Sequence, residues 1–501
     1  MLRGDTAWGD PGFFHPWSGV LGYSDTFLLE SVVFVPWRLL GAEPLLAAQL
    51  TVITLSVVGF AGWWAFLGRL GLVDRPWTRL GLTVLATFPH QLAQQVLHQQ
   101  LLSVWWLPWT LVLGHVAWGT TSTRRRLLAV SAAGLSWGLV LSSTVYVGWF
   151  VLFVAGLLVV VLGIGELTAG RMRSAALLVR RQSVAVGAAL LGFVVGLVPF
   201  ALVYLPVLGD RGQRTYAEVA QFGPRPFDLL NTGGGNLLWG SLLDRVVPGD
   251  PQRLDDIEVA MAVSPFLLLV AGLVWWRMSR RNGEGPEDVG LGRRRLVGAM
   301  LLVAAVAIVL PVEWGPFSLW RGVFEVVPGA GALRVAGRLW IVAHVLVVVA
   351  IAVALASRAR GIDPSTARSR HWVTALVVCL LAAEQVDLVD RASLDRGADL
   401  ALVASAGSPP GWCEVMAVRG GDTSWSFIGP SVDAMRISGA RGLPTVHGYS
   451  GMLAPGYPIH HDGPRYERRF TAYMRRLAID EPVCVFDLDA RQWLDEPLDV
   501  G

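Results

Sequence analysis

Ten apolar stretches occupy most of the chain, and each approaches the length of a membrane-spanning helix. Such a helix needs about 20 residues, because each residue adds about 1.5 Å across roughly 30 Å of hydrocarbon. The stretch at 80–97 is the weakest, because it contains Pro89, His90 and Gln91. The pattern predicts an α-helical polytopic membrane protein of about ten spans, near residues 44–68, 80–97, 101–118, 127–142, 145–165, 183–207, 259–276, 296–312, 339–356 and 372–388.

Arginine is concentrated in alternate loops between these stretches, and this sets the expected orientation. Cytoplasmic loops of membrane proteins carry an excess of basic residues. We therefore expect a multi-pass protein of the cell membrane, with residues 1–43, loops 208–258 and 313–338, and everything after 390 outside the cytoplasm. The loops that we place in the cytoplasm carry Arg69, Arg75, Arg79, Arg124, Arg125, Arg126, Arg171, Arg173, Arg180, Arg181, Arg277, Arg280, Arg281, Arg293, Arg294, Arg295, Arg358, Arg360, Arg368 and Arg370.

This orientation places the N terminus outside without a preceding span. Residues 1–5 do not combine a basic start with an apolar run, so they do not read as a signal peptide. Either the N terminus is translocated without a preceding span, or the sequence lacks a first helix that related proteins would have; we favour the second interpretation.

Composition agrees with a membrane protein. The chain of 501 residues is 53% hydrophobic and only 16% charged, with a mean hydropathy of +0.51, whereas ordinary soluble domains carry about 25% charged residues. A formal net charge of +3 provides no broad basic field, so we expect no nucleic-acid partner. Cys379, Cys413 and Cys484 give no metal-binding spacing; Cys413 and Cys484 could pair in an oxidising compartment, but we favour two free thiols.

The character of the sequence changes after residue 390, where apolar runs give way to Gly, Pro, Asp and Arg. A β-rich piece at 483–489 lies near an amphipathic basic stretch at 462–479. We expect three regions: an outer interfacial segment (1–43), a transmembrane helical domain (44–390) and a small extracytoplasmic mixed α/β domain (391–501).

The first outer segment contains several carboxylates among aromatic, Gly and Pro residues. The segment holds Asp5, Asp10, Asp25 and Glu30. A carboxylate just outside the bilayer can act as a general base toward a hydroxyl, or hold a divalent cation. The alternative is an interfacial segment with an aromatic belt and solvated acids.

Two further clusters fall at the outer ends of predicted spans. His98 and Gln100 precede a run of tryptophans, and this combination suits a sugar or a phosphate; helix packing with an aromatic belt is the alternative. Arg334 and Arg338 lie four residues apart, so in a helical turn both guanidinium groups face one way. They suit the phosphate of a lipid carrier, or they extend to lipid headgroups.

Other polar positions are less specific. Glu218 and Asp228 lie in 215–231, which we expect to be an ordered loop. Glu384 lies in the last apolar stretch, where a carboxylate is costly, unless it belongs to a solvated helix end. Tyr449 lies in the Gly/Pro/Tyr segment 444–458, which either borders a substrate entrance or forms a tight structural loop.

The motifs of soluble enzymes are missing from the sequence. It contains no GxxxxGK[ST] phosphate loop, no HExxH and no GxSxG. The clusters, in their order along the chain, resemble bacterial members of the GT-C superfamily, which are multi-spanning glycosyltransferases that use polyprenyl-phosphate sugars. The resemblance rests on FHPWSGVLGYSDTFLLESVVFVPWRLLGAEPLLAAQL (14–50), HQQLLSVWWLPW (98–109), VVPGAGALRVAGR (326–338) and PTVHGYSGMLAPGYP (444–458).

The resemblance implies transfer of a sugar from a polyprenyl-phosphate carrier to an envelope acceptor at the outer face. It implies an acidic catalytic residue in the first outer loop, for which Asp10 and Asp25 are the candidates. It also implies substrate-binding roles for His98, Gln100, Arg334, Arg338 and Tyr449. Under this hypothesis Asp10, Asp25, His98, Arg334 and Arg338 converge on one outer-facing cavity. The alternative is a non-catalytic membrane protein, either a transporter of lipid-linked glycans or a scaffold for envelope assembly.

Overall fold

A computed structural model of the chain describes residues 9–95, 98–208, 214–246, 261–281, 287–357, 367–388, 395–421, 428–458 and 464–498. Most of these residues are helical. The helices are α1 Leu28–Leu39, α2 Pro44–Leu67, α3 Pro76–Thr87, α4 His90–Gln94, α5 Leu107–Gly119, α6 Thr123–Ser143, α7 Val145–Thr168, α8 Met172–Arg181, α9 Ser183–Gly196, α10 Val198–Tyr204, α11 Tyr216–Ala220, α12 Gly240–Val246, α13 Val263–Arg281, α14 Glu287–Val309, α15 Trp320–Val326, α16 Leu339–Ser357, α17 Ala367–Glu384, α18 Arg396–Ser405, α19 Gly429–Arg441 and α20 Pro464–Leu477.

The chain divides into two compact units, and each is described by itself. The helical unit comprises Phe27–Phe200 and Gly212–Asp390. The second unit comprises Met1–Thr26, Ala201–Arg211 and Arg391–Gly501. The strands are β1 Glu313–Trp314 and β2 Phe317–Ser318 in the helical unit, and β3 Val415–Arg419, β4 Val483–Asp487 and β5 Gln492–Trp493 in the second unit.

Six helical segments among the described residues are long and apolar enough to cross a membrane. Each overlaps one of the stretches that the sequence predicts. Two shorter apolar helices, Val263–Met278 and Val373–Glu384, fall at two further predicted positions. A bilayer is therefore the environment of this chain, while the total of ten spans remains a prediction. The six segments are Pro44–Leu72, Gln99–Gly119, Thr123–Ser143, Val145–Thr168, Ser183–Val207 and Ala336–Ala356.

The prediction of one continuous span over 80–97 is wrong. Helix α3 ends at Thr87, and the short helix α4 begins after Pro89. Proline disfavours the helical conformation of the residue that precedes it, and Phe88 accordingly has φ −120° and ψ 58°. The chain then passes through a 3-10 segment, Gln99–Trp106, before α5 begins.

Glycines bring helices α6 and α9 into backbone contact. Gly134 and Gly138 on α6 face Gly192 and Gly196 on α9, and a Cβ atom at any of the four would collide with backbone atoms of the other helix. Hydrogen bonds from Ser131 Oγ to Ala188 O (3.1 Å) and from Ser142 Oγ to Gly196 O (2.8 Å) join the same pair. Small residues allow this close approach between membrane helices.

Helices α14 and α16 form the centre of the helical unit. The indole Nε1 of Trp340, near the start of α16, donates to Ile308 O near the end of α14 (2.9 Å). The start of one helix therefore lies beside the end of the other, as in antiparallel neighbours. Most of the 336–356 span is buried within the protein, so its polar side chains face other protein groups rather than lipid.

The second unit contains a three-stranded sheet in the order β3-β4-β5. Strands β3 and β4 are parallel, and β4 and β5 are antiparallel. Strand β4 lies within the β-rich piece at 483–489, and α20 lies within the basic stretch at 462–479. Helix α20 buries Tyr466, Phe470, Tyr473 and Met474 in the core of this unit and exposes Arg468, Arg469, Arg475 and Arg476.

The cysteines also differ from the favoured expectation. Cys413 and Cys484 form a disulfide, so the interpretation of two free thiols is wrong. The parallel pairing of β3 with β4 brings the two residues together across 71 positions of sequence. Cys379 is a free and exposed cysteine.

Candidate functional site

Two aromatic residues on one face of α7 hold the loop that contains Arg334. Trp149 Nε1 donates to Pro328 O (3.0 Å), and the adjacent Gly329 has φ +84° and lies too close to the indole for a Cβ atom. One turn earlier, the Tyr146 hydroxyl accepts the backbone N–H groups of Arg334 (2.9 Å) and Val335 (3.2 Å). The loop 328–335 is thus attached to α7 near both of its ends.

Arg338 is buried at the start of the 336–356 span, with 4% of its surface exposed. Its guanidinium lies over the Tyr146 ring, 4.7 Å from the centroid, and its Nε donates to Gln95 Oε1 (3.1 Å). A buried charge persists only where polar and π groups replace its water. Tyr146 and Gln95 provide such groups.

Arg334 has a more open position, with a half-buried side chain. Its guanidinium lies over the ring of Phe222, 4.8 Å from the centroid. No carboxylate forms an ion pair with it within the described part of the chain. The positive charge of Arg334 is therefore available to an anionic ligand.

His98 lies immediately before the 99–119 span and close to both arginines. Burial, followed by the positive charges of Arg338 and Arg334, lowers the pKa of His98 from 6.5 to about 3. The imidazole is therefore neutral at physiological pH. Gln100 is half-buried two residues further on, and its side chain makes no hydrogen bond within the described residues.

We call Gln95, His98, Tyr146, Arg334 and Arg338 the arginine cluster. The sequence nominates His98, Arg334 and Arg338, and the structure brings these three together. Sequence reasoning missed Tyr146 and Gln95 as members. Gln95 lies in the weakest of the predicted spans, 80–97, and Tyr146 is one aromatic residue in an apolar helix, so neither stands out in the sequence. Two guanidinium groups beside a neutral imidazole suit a phosphate or phosphodiester.

A buried carboxylate lies at the corresponding end of neighbouring helices. Glu30, in the first turn of α1, is 5% exposed and accepts a hydrogen bond from Ser143 Oγ at the C-terminal end of α6. Ser143 Oγ also accepts the N–H of Leu29 (3.0 Å). Ser143 is separated from Tyr146 by only two residues at the junction of α6 with α7, so Glu30 and the arginine cluster occupy the same end of the helical unit.

Asp10, Asp25 and Tyr449 belong to the second unit. Asp10 Oδ1 accepts the N–H of Gly19 (2.5 Å), which gives Asp10 a role in the local turn. Asp25 is half-buried, and Tyr449 is 40% exposed. Asp5 lies outside the described residues.

The remaining acidic candidates have structural partners. Glu384 is 3% exposed; it accepts Trp239 Nε1–H (2.9 Å) and the N–H of Ser264 (3.0 Å) in the first turn of α13. Glu384 therefore does not belong to a solvated helix end, and its buried carboxylate has hydrogen-bond donors. Glu218 forms a capping box with Thr215, and Asp228 accepts the N–H of Arg225 (2.6 Å). The expectation of an ordered loop over 215–231 is therefore correct.

Within the described residues, no group of three or more His, Cys, Asp or Glu side chains could hold a metal ion. No protein-family model matches the chain, and no curated protein matches it. Among solved structures, the chain is similar to the crystal structure of the Archaeoglobus fulgidus oligosaccharyltransferase in complex with Zn and sulfate. The identity is 11%, the TM-score is 0.40, and the match covers 89% of this chain and 56% of that chain. The chain thus spans little more than half the length of that protein, and a likeness at this TM-score assigns no function.

Proposed function

We propose that the chain is a membrane glycosyltransferase-like protein that transfers a sugar from a polyprenyl-phosphate carrier to an envelope acceptor at the outer face. The observation that carries the proposal is the arginine cluster, in which Arg334 and Arg338 lie beside a neutral His98. The ordered motifs that resemble the GT-C superfamily support the same reaction class.

In the proposed reaction, an acceptor hydroxyl attacks the anomeric carbon of the carrier-linked sugar. The bond from that carbon to the phosphate oxygen breaks, and the lipid phosphate leaves with the bonding electron pair. Arg334 and Arg338 stabilise the negative charge that develops on this oxygen. A carboxylate takes the hydroxyl proton; Asp10 and Asp25 are the candidates from sequence, and Glu30 is a further one because it lies at the same helix ends as the cluster.

The proposed orientation rests on two observations. The arginine-rich loops, such as those with Arg124 and Arg171, are expected in the cytoplasm, so the opposite helix ends, with Arg334 and Arg338, face outside. The Cys413–Cys484 disulfide suits an oxidising compartment. We propose that residues after 390 form an extracytoplasmic domain, and that residues 1–43 and the loops 208–258 and 313–338 share its side.

The transfer reaction is testable with purified protein in proteoliposomes that contain a synthetic polyprenyl-phosphate sugar and a glycan acceptor. We expect Arg334→Gln and Arg338→Gln each to lower kcat/KM by about 10- to 100-fold, the value of one charge-assisted hydrogen bond. Arg321→Gln is the matched control, because Arg321 lies in the same segment 313–338, in helix α15, but pairs with Glu325 on the surface. Unchanged transfer in both cluster variants would contradict the proposal.

A transporter of lipid-linked glycans is the second candidate, and the helix break at Pro89 favours it. His90, Gln91 and Gln95 are buried at this break, and His344 is buried in α16. Broken helices with buried polar groups are typical of transporter sites. Movement of a fluorescent lipid phosphate across the bilayer, without any sugar transfer, would support this function over the transferase.

A further inference from the structure

An exposed aromatic pair forms the tip of the hairpin made by β1 and β2. Trp314 pairs with Phe317 across the two strands, so both side chains project from the same face. Trp314 is 46% exposed and Phe317 is 58% exposed. Gly315 begins the two-residue turn with φ +68°, a conformation that favours glycine. The turn thus displays two large, exposed aromatic side chains on one face of the hairpin.

The hairpin begins just after the end of α14, which overlaps the span predicted at 296–312. Ile308 of α14 is level with Trp340 of α16, because they share a hydrogen bond, and Trp340 lies about one turn inside the 336–356 span. The hairpin starts at residue 313, only a few residues beyond that level. By depth, the tip therefore falls at the boundary between hydrocarbon and water.

An exposed apolar stripe on α14 precedes the hairpin. Leu302, Val306 and Val309 are exposed and spaced at i, i+4 and i+7, so they form one outward-facing stripe on α14. Because the apolar stretch at 296–312 predicts that α14 crosses the bilayer, lipid is the expected partner of this stripe. Trp314 and Phe317 are the next large exposed apolar side chains along the chain, and tryptophan prefers the headgroup layer.

The hairpin is also fixed to the loop that contacts Arg334. Glu313 accepts the hydroxyl of Tyr216 (2.9 Å), and its N–H donates to Pro224 O (2.7 Å). Gly223 lies against Glu313 with no room for a Cβ atom. Phe222, one residue earlier, carries the guanidinium of Arg334 on its ring. A connected set of contacts thus runs from the hairpin to the arginine cluster.

We propose that the 313–318 hairpin is a bilayer-contact surface: Trp314 and Phe317 lie in the lipid headgroup layer, and Glu313 and Tyr216 hold Arg334 at that depth. The occupant of the exposed aromatic face is the lipid interface rather than a protein. The proposal does not depend on sugar transfer; it requires only that the helices α14 and α16 lie in a bilayer.

Depth-dependent quenching tests the proposal directly. A bimane fluorophore is attached to Pro316→Cys in the full chain with Cys379→Ser, and the protein is reconstituted in phosphatidylcholine nanodiscs. We expect strong quenching by a headgroup-nitroxide lipid, and weak quenching by a mid-chain nitroxide lipid and by aqueous iodide. Val306→Cys, on the lipid-facing stripe of α14, is the matched control and should respond most to the mid-chain nitroxide.

Two results would overturn the proposal. Strong quenching by iodide without quenching by either lipid would place the tip in water. Protection from all three quenchers would place it against a protein or a second copy of the chain, and dependence on the number of chains per disc would identify the second copy.

A second label tests the coupling to Arg334. Bimane on Ala332→Cys, an exposed position two residues before Arg334, reports the depth of that loop. We expect Trp314→Ser combined with Phe317→Ser to reduce its headgroup quenching by about twofold or more, since the interfacial preference of the aromatic pair is lost. Unchanged quenching in a folded variant, with the melting temperature of the parent, would show that the hairpin does not set the depth of Arg334.

Discussion

The hydroxyl of Tyr146 accepts the backbone N–H of Arg334 at 2.9 Å, across 188 positions of sequence. The same oxygen accepts the N–H of Val335, and the ring of Tyr146 supports the guanidinium of Arg338. One side chain on α7 therefore fixes the backbone at one arginine and the charge of the other. This double contact makes Tyr146 the positioning residue of the arginine cluster.

The variant Tyr146→Phe separates these two roles, because it removes the acceptor and keeps the ring. Two N–H groups lose their partner, so we expect the free energy of unfolding to fall by about 1–3 kcal/mol. We also expect weaker binding of a prenyl phosphodiester, measured by microscale thermophoresis in nanodiscs, because the loop 328–335 loses its attachment. Tyr146→Leu should weaken binding further, since Arg338 then loses the ring. Parent-like affinity in Tyr146→Phe would contradict the positioning role.

His98 gives a prediction about pH. Burial and the two nearby arginines hold the pKa of His98 at about 3, so its charge does not change between about pH 5 and 8. The affinity for a prenyl phosphodiester, whose own charge is constant over this range, should therefore be flat. An affinity that rises as the pH falls through 6.5 would show that His98 becomes protonated.

The lowered pKa of His98 also makes the stability of the protein depend on pH. As the pH falls below 6.5, the unfolded chain binds a proton at His98 before the folded chain does. The free energy of unfolding is therefore unaffected by His98 titration above pH 6.5, and it decreases as the pH falls from 6.5 toward 3. His98→Gln should reduce this part of the acid dependence, measured as the melting temperature across the range.

The contact of α6 with α9 predicts a sharp difference between two glycines of one helix. Gly192→Leu places a side chain against the backbone of Ser131, which cannot move without separating the helices. We expect a loss of about 3 kcal/mol in stability, typical of severe overpacking. Gly187→Leu is the control, because nothing lies within 4 Å of a Cβ atom there. Equal melting temperatures for the two variants would refute this account of the packing.

The disulfide predicts a thiol count. Under denaturing conditions without reductant, only Cys379 should react with maleimide, and all 3 cysteines should react after reduction. Mass spectrometry distinguishes the two results. Replacing Cys413 and Cys484 by serine should lower the free energy of unfolding by about 2–4 kcal/mol, as for other disulfides that close a long loop. Three reactive thiols before reduction would contradict the pairing.

Local features of the sequence determined the secondary structure of this protein to a large extent. The length and polarity of apolar stretches predict helices at 44–68, 145–165 and 183–207, because crossing hydrocarbon requires an unbroken apolar helix. Apolar content alone also led to the wrong span over 80–97, where Pro89 acts on the residue before it and ends α3. The β-rich piece at 483–489 forms a strand because its residues suit a buried, pleated surface.

The tertiary structure alone decided which side chains meet. The arginines stand out in the sequence, but nothing local links Arg338 to Gln95, Glu30 to Ser143, or Cys413 to Cys484. These pairs form because helices and strands distant in sequence pack side by side, and the packing depends on features such as the glycine contact of α6 with α9. Hydrophobic periodicity indicates which face of each helix or strand is buried and which is exposed to water or lipid. Hydrogen bonds and ion pairs depend instead on which residues are brought together when the elements pack.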